Sequence, residues 1–212
     1  MKSLFKTKKR RDDETATATA TTGTNVHLSN DDKRAIATAT GPPNPNPLHR
    51  KRLMKEYCNL TTNPSDYFTV ELVDDNLCEW NVKVSKFDRD SRISRDMNAL
   101  GIPHVLLNAS FPENYPFRPP FVRVVSPKIV GGFVLSGGAI CMELLTPRGW
   151  SSAYTVEAVV LQFVTTVVKG KGQIASNGGK GEYRRKDAEK TFKAVVMKHE
   201  LTGWHTPPKW EG

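Results

Sequence analysis

The sequence predicts an α+β domain: a four-stranded antiparallel sheet flanked by helices and preceded by a disordered tail. Three observations carry this prediction. Two runs of alternating apolar residues, "YFTVELVDD" and "CEWNVKVSKF", are separated by turn residues. Two later stretches repeat their apolar residues with helical spacing. The first 47 residues show neither pattern.

Taken in order, residues 1–47 contain the Thr/Ala segment "TATATATTGTN" and the Pro/Asn segment "GPPNPNP". Such compositions bury too little apolar area to offset chain entropy, so a basic, low-complexity tail is expected. Its run Lys6, Lys8, Lys9, Arg10 and Arg11 reads either as a nuclear-import signal or as a solubilising tail, and nucleus and cytoplasm are the expected locations. The pattern changes at Leu48, and residues 48–212 are expected to form one domain. "LHRKRLMKEYCNL" sets Leu53, Met54, Tyr57 and Leu60 at helical spacing. Phe68, Val70 and Leu72 then share one face of a strand, and Trp80, Val82 and Val84 share a face of the next. Asp74-Asp75-Asn76 between them predicts a hairpin. "PHVLLNASF" and "FVRVV" are the third and fourth strands. The connection "PENYPFRPPF" carries four prolines in ten residues, which fix φ and remove ladder donors. Beyond Cys141, Val156, Val159, Val160, Phe163 and Val167 mark a helix. A Gly-rich break, "GKGQIASNGGKG", precedes a last helix from about Tyr183 to His199. Its stripe is Ala188, Phe192, Val195, Val196 and His199.

The totals exclude several classes. Three cysteines, Cys58, Cys78 and Cys141, are too few and too scattered for a disulfide framework. With His27, His49, His104, His199 and His205 they form no ligand pairs, so no metal is expected. No apolar run reaches the roughly 20 residues of a membrane helix, so no membrane partner is expected. The net charge of +9 fits either a solvated basic surface or an acidic partner, nucleic acid or an acidic protein surface. Without the aromatic and basic signature of a known module, nucleic acid is the less favoured of the two.

"GGAICMELLTPRGWSSAY" carries the chemistry. Gly137 and Gly138 beside Cys141 leave room for main-chain N–H groups to approach a thiolate or an oxyanion. The same cysteine would also serve as a small buried hydrophobe. Cys58 and Cys78 read as core or surface thiols.

These segments resemble the ubiquitin-conjugating enzymes from about residue 48 onward. "NYPFRPPF" resembles the family's Tyr-Pro-Phe-x-Pro-Pro connection. "GGAICMELL" resembles its cysteine loop, and "GWSSAYTVEAV" its Trp-Ser-Pro-Ala-Tyr-Thr-Ile segment. "CMELLTPRGWSSAYTVEAV" and the ending "GWHTPPKWEG" are closer still to the Q branch and its short Q-like members. The resemblance implies the ubiquitin-conjugating (UBC) fold. It also implies that Cys141 holds ubiquitin as a glycyl thioester and passes it to substrate with or without a ligase. Ubiquitin, its activating enzyme, ubiquitin ligases and protein substrates are the implied partners. ATP is consumed by the activating enzyme, so no bound cofactor is implied. Pro112, Phe117, Pro119 and Trp150, Ser151, Ser152 and Ala153 would face a ligase. The sequence departs from the family at one position. Most members place an Asn, within His-Pro-Asn, eight residues before the cysteine, where it supports the loop or the oxyanion. The Q branch more often has Tyr there, and this chain has Phe133, which has no donor. The flanking acidic or serine position falls near Ile174, with Gln173, Ser176 and Asn177 as neighbours. His199 is then a candidate base or orienting group for the attacking nucleophile, against the simpler role of a packed helix-end histidine. Trp204 reads as a packing anchor. Phe133 also leaves open a non-catalytic binding module on the same fold, and Cys141 followed by His199 leaves open a Cys/His hydrolase.

Overall fold

The computed structural model describes residues 47–202. Most of the expected tail, the basic run within it, Trp204 and His205 lie outside these residues.

Helix α1, Pro47–Thr62, buries His49, Leu53, Glu56 and Leu60, a stripe at i, i+4, i+7 and i+11. The expected stripe is therefore rotated. Leu53 and Leu60 are inside and Tyr57 is half-buried, but Met54 is 49% exposed. Two polar residues complete the inward face because each finds a partner there.

Strands β1, Phe68–Val73, and β2, Asn76–Val84, form the expected hairpin with Leu72 opposite Trp80 and Phe68 opposite Val84. Asp74 and Asp75 both have left-handed φ, 49° and 57°, as a two-residue turn that follows the twist of its strands requires. A helix that the apolar spacing did not reveal comes next. Helix α2, Arg92–Leu100, starts at Ser91, whose side chain accepts from the Ser94 N–H. It stops at Gly101, φ 64°, whose N–H and that of Ile102 return to the Asn98 and Met97 carbonyls. Ile93 and Met97 are its only buried side chains, too short a stripe to register as a period.

Strands β3, Val105–Ser110, and β4, Phe121–Ser126, complete an antiparallel sheet in the order β1-β2-β3-β4. One face of it, with Trp80, Val82, Val84, Leu107, Ala109, Val122 and Val124, belongs to the core. Leu53 of α1 joins that core, as do Val159, Phe163 and Val167 of helix α3, Val156–Lys169. Thr155 caps α3 by accepting from Ala158 N–H. Strand β5, Ile129–Val130, pairs with β6, Gln173–Ile174, as a small second sheet. Helix α4, Arg185–Thr202, starts two residues later than expected. Ala188 is fully buried, while Phe192, Val195, Val196 and His199 are half-buried.

Candidate active site

Cys141 lies at the end of a narrow loop. The chain turns at Gly131 and Gly132 and reaches Phe133, which has a left-handed φ of 58°. It then doubles back through Ser136–Gly138. Val134 bridges Ile140, Leu135 N–H donates to Ala139 O at 2.7 Å, and Gly138 N–H donates to Leu135 O at 2.9 Å. Cys141 N–H closes the loop on Phe133 O at 2.9 Å. The two residues eight apart in sequence are thus joined through the backbone.

The glycines serve packing rather than an open approach. A Cβ on Gly137 would sit 2.7 Å from the Asp187 carbonyl carbon and 2.8 Å from the Ala188 nitrogen. A Cβ on Gly138 would sit 2.8 Å from the Tyr183 ring and closer still to Val124 O. The first turn of α4 and the ring of Tyr183 therefore rest on the loop, which admits no side chain at either position.

The Cys141 thiol is half-buried and has no hydrogen-bond or ionic partner among the described residues. Burial pushes it above the usual thiol range, and no neighbouring charge opposes that rise. At neutral pH its alkylation by iodoacetamide should therefore be slower than that of exposed Cys58, and its rate should still be climbing at alkaline pH. A plateau below about pH 8, read by mass spectrometry of the tryptic peptides, would mean that a cation reaches the sulfur.

Phe133 turns its ring onto the end of α3, where a Cβ on Gly170 would meet it at 2.6 Å. It packs the loop and supplies no donor. Two backbone groups near the thiol are also occupied, since Cys141 N–H goes to Phe133 O and Met142 N–H to Ile140 O. Neither is open to an oxyanion in this conformation. His199 is half-buried in the last turn of α4, where a cationic ring suits the helix dipole. It lies eleven residues beyond Ala188, about 16 Å of helix from the residue seated on Gly137. Of the residues near the expected flanking position, Ile174 is buried in β6, and its N–H donates to Asp96 Oδ2 of α2 at 3.1 Å. Gln173 is half-buried, and Ser176 and Asn177 are exposed.

The segments expected to face a ligase come together beside α1. Trp150 donates from Nε1 to Pro116 O at 2.7 Å, and its ring touches Tyr115 and Tyr154. This ties the proline connection to the segment Ser151–Ala153. Phe117 is 68% exposed, Ser151, Ser152 and Ala153 are exposed, and Pro112 and Pro119 are half-buried. Sequence reasoning missed what holds these segments. Arg52 donates to Ser152 O at 3.0 Å and to Tyr154 O at 2.7 Å. Glu56 accepts from Arg52 Nε at 2.5 Å, from the Tyr115 hydroxyl at 2.6 Å and from Val156 N–H at 2.6 Å. Burial and that carboxylate push the Tyr115 phenol far above its usual range, which keeps it a donor. The only sequence signal was Glu56 at the same helical spacing as Leu53 and Leu60.

Among the described residues no group of three or more His, Cys, Asp or Glu could hold a metal, and no helix is long and apolar enough to cross a membrane.

The family described as "Ubiquitin-conjugating enzyme" matches residues 104–200. The Q-like ubiquitin-conjugating enzyme CG4502 of Drosophila melanogaster is 52% identical over 169 residues, 78% of this chain and 55% of that protein. The chain thus spans about half of that relative's length. The human Q-like ubiquitin-conjugating enzyme, protein 1, is 52% identical over 161 residues, covering 75% of this chain and 100% of that protein. Among solved structures, human ubiquitin-conjugating enzyme E2 G1 superposes with a TM-score of 0.45 at 22% identity, covering 54% of this chain and 90% of that chain.

Proposed function

Because the chain belongs to the ubiquitin-conjugating enzyme family, in its Q branch, we propose that Cys141 accepts ubiquitin from an activating enzyme and transfers it to a substrate amine or hydroxyl. The Cys141 sulfur attacks the carbonyl carbon of the activating enzyme's ubiquitin thioester, and the activating enzyme's thiolate leaves. The substrate nucleophile then attacks the new thioester, loses its proton and expels the Cys141 thiolate. ATP is consumed before the acyl group arrives, so no cofactor of this chain takes part. The surface formed by Phe117 and Ser151–Ala153 is the proposed ligase contact.

The observation that carries the reading is the placement of the three thiols. Cys58 lies exposed on α1, and the Cys78 sulfur lies 3.3 Å from His49 Nε2. Cys141 alone stands at the end of a closed loop. With activating enzyme, ubiquitin and ATP, the chain should form an adduct that thiol reductant cleaves. Cys141→Ser should give a slower-forming adduct that survives reductant, because an oxyester has the poorer leaving group. A full reductant-sensitive adduct in Cys141→Ser, read on a non-reducing gel, would move the active site elsewhere. No adduct from the parent chain would leave the non-catalytic binding module.

We assign the part of base or orienting group in discharge to His199, half-buried in the last turn of α4. His199→Ala should charge normally and discharge to lysine and serine about ten- to a thousandfold more slowly in single turnover. Discharge at the parent rate would make the histidine a structural helix-end residue.

A further inference from the structure

Phe133 cannot hold the cysteine loop by a side-chain hydrogen bond, yet the loop is tightly held. The residue that reaches both of its arms is Tyr183, two residues ahead of α4. Its hydroxyl donates to Ile129 O at 3.0 Å and accepts from Ile129 N–H at 3.1 Å. Ile129 begins β5, which leads directly into Gly131, Gly132 and Phe133. The Tyr183 ring lies on Gly138, on the returning arm and three residues before Cys141, so closely that a Cβ there would be 2.8 Å from Cγ and Cδ2. The Tyr183 backbone is fastened as well. Its N–H donates to Val125 O at 2.8 Å, and its carbonyl accepts from Arg123 Nη1 at 3.0 Å. Arg123 in turn bridges Ala139 through the main chain.

Each of these bonds ends on one arm of the loop or on the strand beside it. Phe133 and Cys141 are joined by one backbone hydrogen bond, so the position of the sulfur depends on how the two arms are held apart. Resting on the assignment of Cys141 as the thioester residue, we infer that Tyr183 is a positioning residue for ubiquitin transfer. It clamps the outgoing arm at Ile129 and the returning arm at Gly138, and so provides the loop support that a side chain at position 133 does not. Tyr183 does not touch the reacting atoms. It acts through the loop, and its two ends act separately, the hydroxyl on one arm and the ring on the other.

This separation gives the test. Tyr183→Phe keeps the ring on Gly138 and removes both hydrogen bonds to Ile129. Tyr183→Ala removes both contacts. Single-turnover discharge of the Cys141 thioester to lysine should slow about fivefold in Tyr183→Phe and about fiftyfold in Tyr183→Ala, as expected when a reacting group is misplaced by a fraction of an ångström to about 1 Å. Amide hydrogen exchange of the full chain gives a readout that needs no activity. In Tyr183→Phe the amides of Leu135, Gly138 and Cys141 should exchange about tenfold faster, while those of Val82 and Leu107 in the sheet keep their parent rates. Discharge within about twofold of the parent in Tyr183→Phe, or unchanged exchange at Leu135, Gly138 and Cys141, overturns the inference. If the parent chain forms no thioester, the functional assignment falls instead, and the exchange rates still decide whether Tyr183 clamps the loop.

Discussion

Glu56→Ala should destabilise the protein by about 3–5 kcal/mol, the usual cost of removing one partner from a buried charged cluster. The carboxylate is 8% exposed and serves three donors on three parts of the chain: Arg52 of α1, the Tyr115 hydroxyl of the proline connection and the Val156 N–H that opens α3. Alanine leaves the phenol and the helix N–H buried without an acceptor, and it leaves the guanidinium only its two loop carbonyls. Glu56→Gln keeps the shape and one acceptor oxygen but turns its NH2 toward a donor, either the Val156 N–H or Arg52 Nε, so it should cost only somewhat less than Glu56→Ala. Urea denaturation of both variants checks this. A loss below about 1 kcal/mol for Glu56→Ala would mean that water replaces the carboxylate and that the cluster is more open than its geometry indicates. The same variant should loosen Ser152 and Tyr154, since Arg52 is held against them by Glu56, so ligase-stimulated transfer should fall more than ligase-free discharge.

Gly138→Ala should be the most damaging single-methyl change in the cysteine loop. The residue has φ of 86°, and the new Cβ would overlap Val124 O of strand β4 and the ring of Tyr183, whose N–H is fixed to Val125 O and whose hydroxyl is fixed to Ile129. Left-handed strain and the clash together should cost about 2–4 kcal/mol. Charging of Cys141 should fall further than stability alone explains, because the cysteine lies three residues along the displaced arm. Gly101→Ala is the control. It also has a left-handed φ, 64°, but a Cβ there meets nothing within 4 Å, so it should cost only the backbone term of about 1–2 kcal/mol and leave charging intact. Equal thermal shifts for the two variants would show that the loop can move aside for a methyl group.

Both predictions rest on contacts that no stretch of sequence displays. The four strands and helices α1, α3 and α4 were legible because each is fixed by local periodicity: alternation in Phe68–Val73 and Asn76–Val84, helical recurrence from Val156 to Val167. Cys141, the proline connection and the Trp150–Tyr154 segment were legible as ordered motifs. Helix α2 was half-legible, since its start and stop signals, Ser91 and Gly101, stand in the sequence, but two buried residues make too short a stripe to read as a period. The inward turn of His49 and Glu56, and the exposure of Met54, were decided by partners far along the chain. Glu56 meets Tyr115 across 59 residues and Val156 across 100. A polar side chain is buried only where such donors wait, so its spacing alone reads as surface.

The same holds for the site. Which sulfur stands in the Gly-Gly loop, and that position 133 lacks a donor, can be read along the chain. It took the folded domain to show that the glycines make room for Tyr183 and α4 rather than for an oxyanion, that the Phe133 ring turns to Gly170, and that the Cys141 N–H is already taken. The physical reason is distance in sequence. A glycine's freedom is a local property, but what lies within 3 Å of its missing Cβ is set by chain 14 to 51 residues away, brought there by the packing of the whole domain.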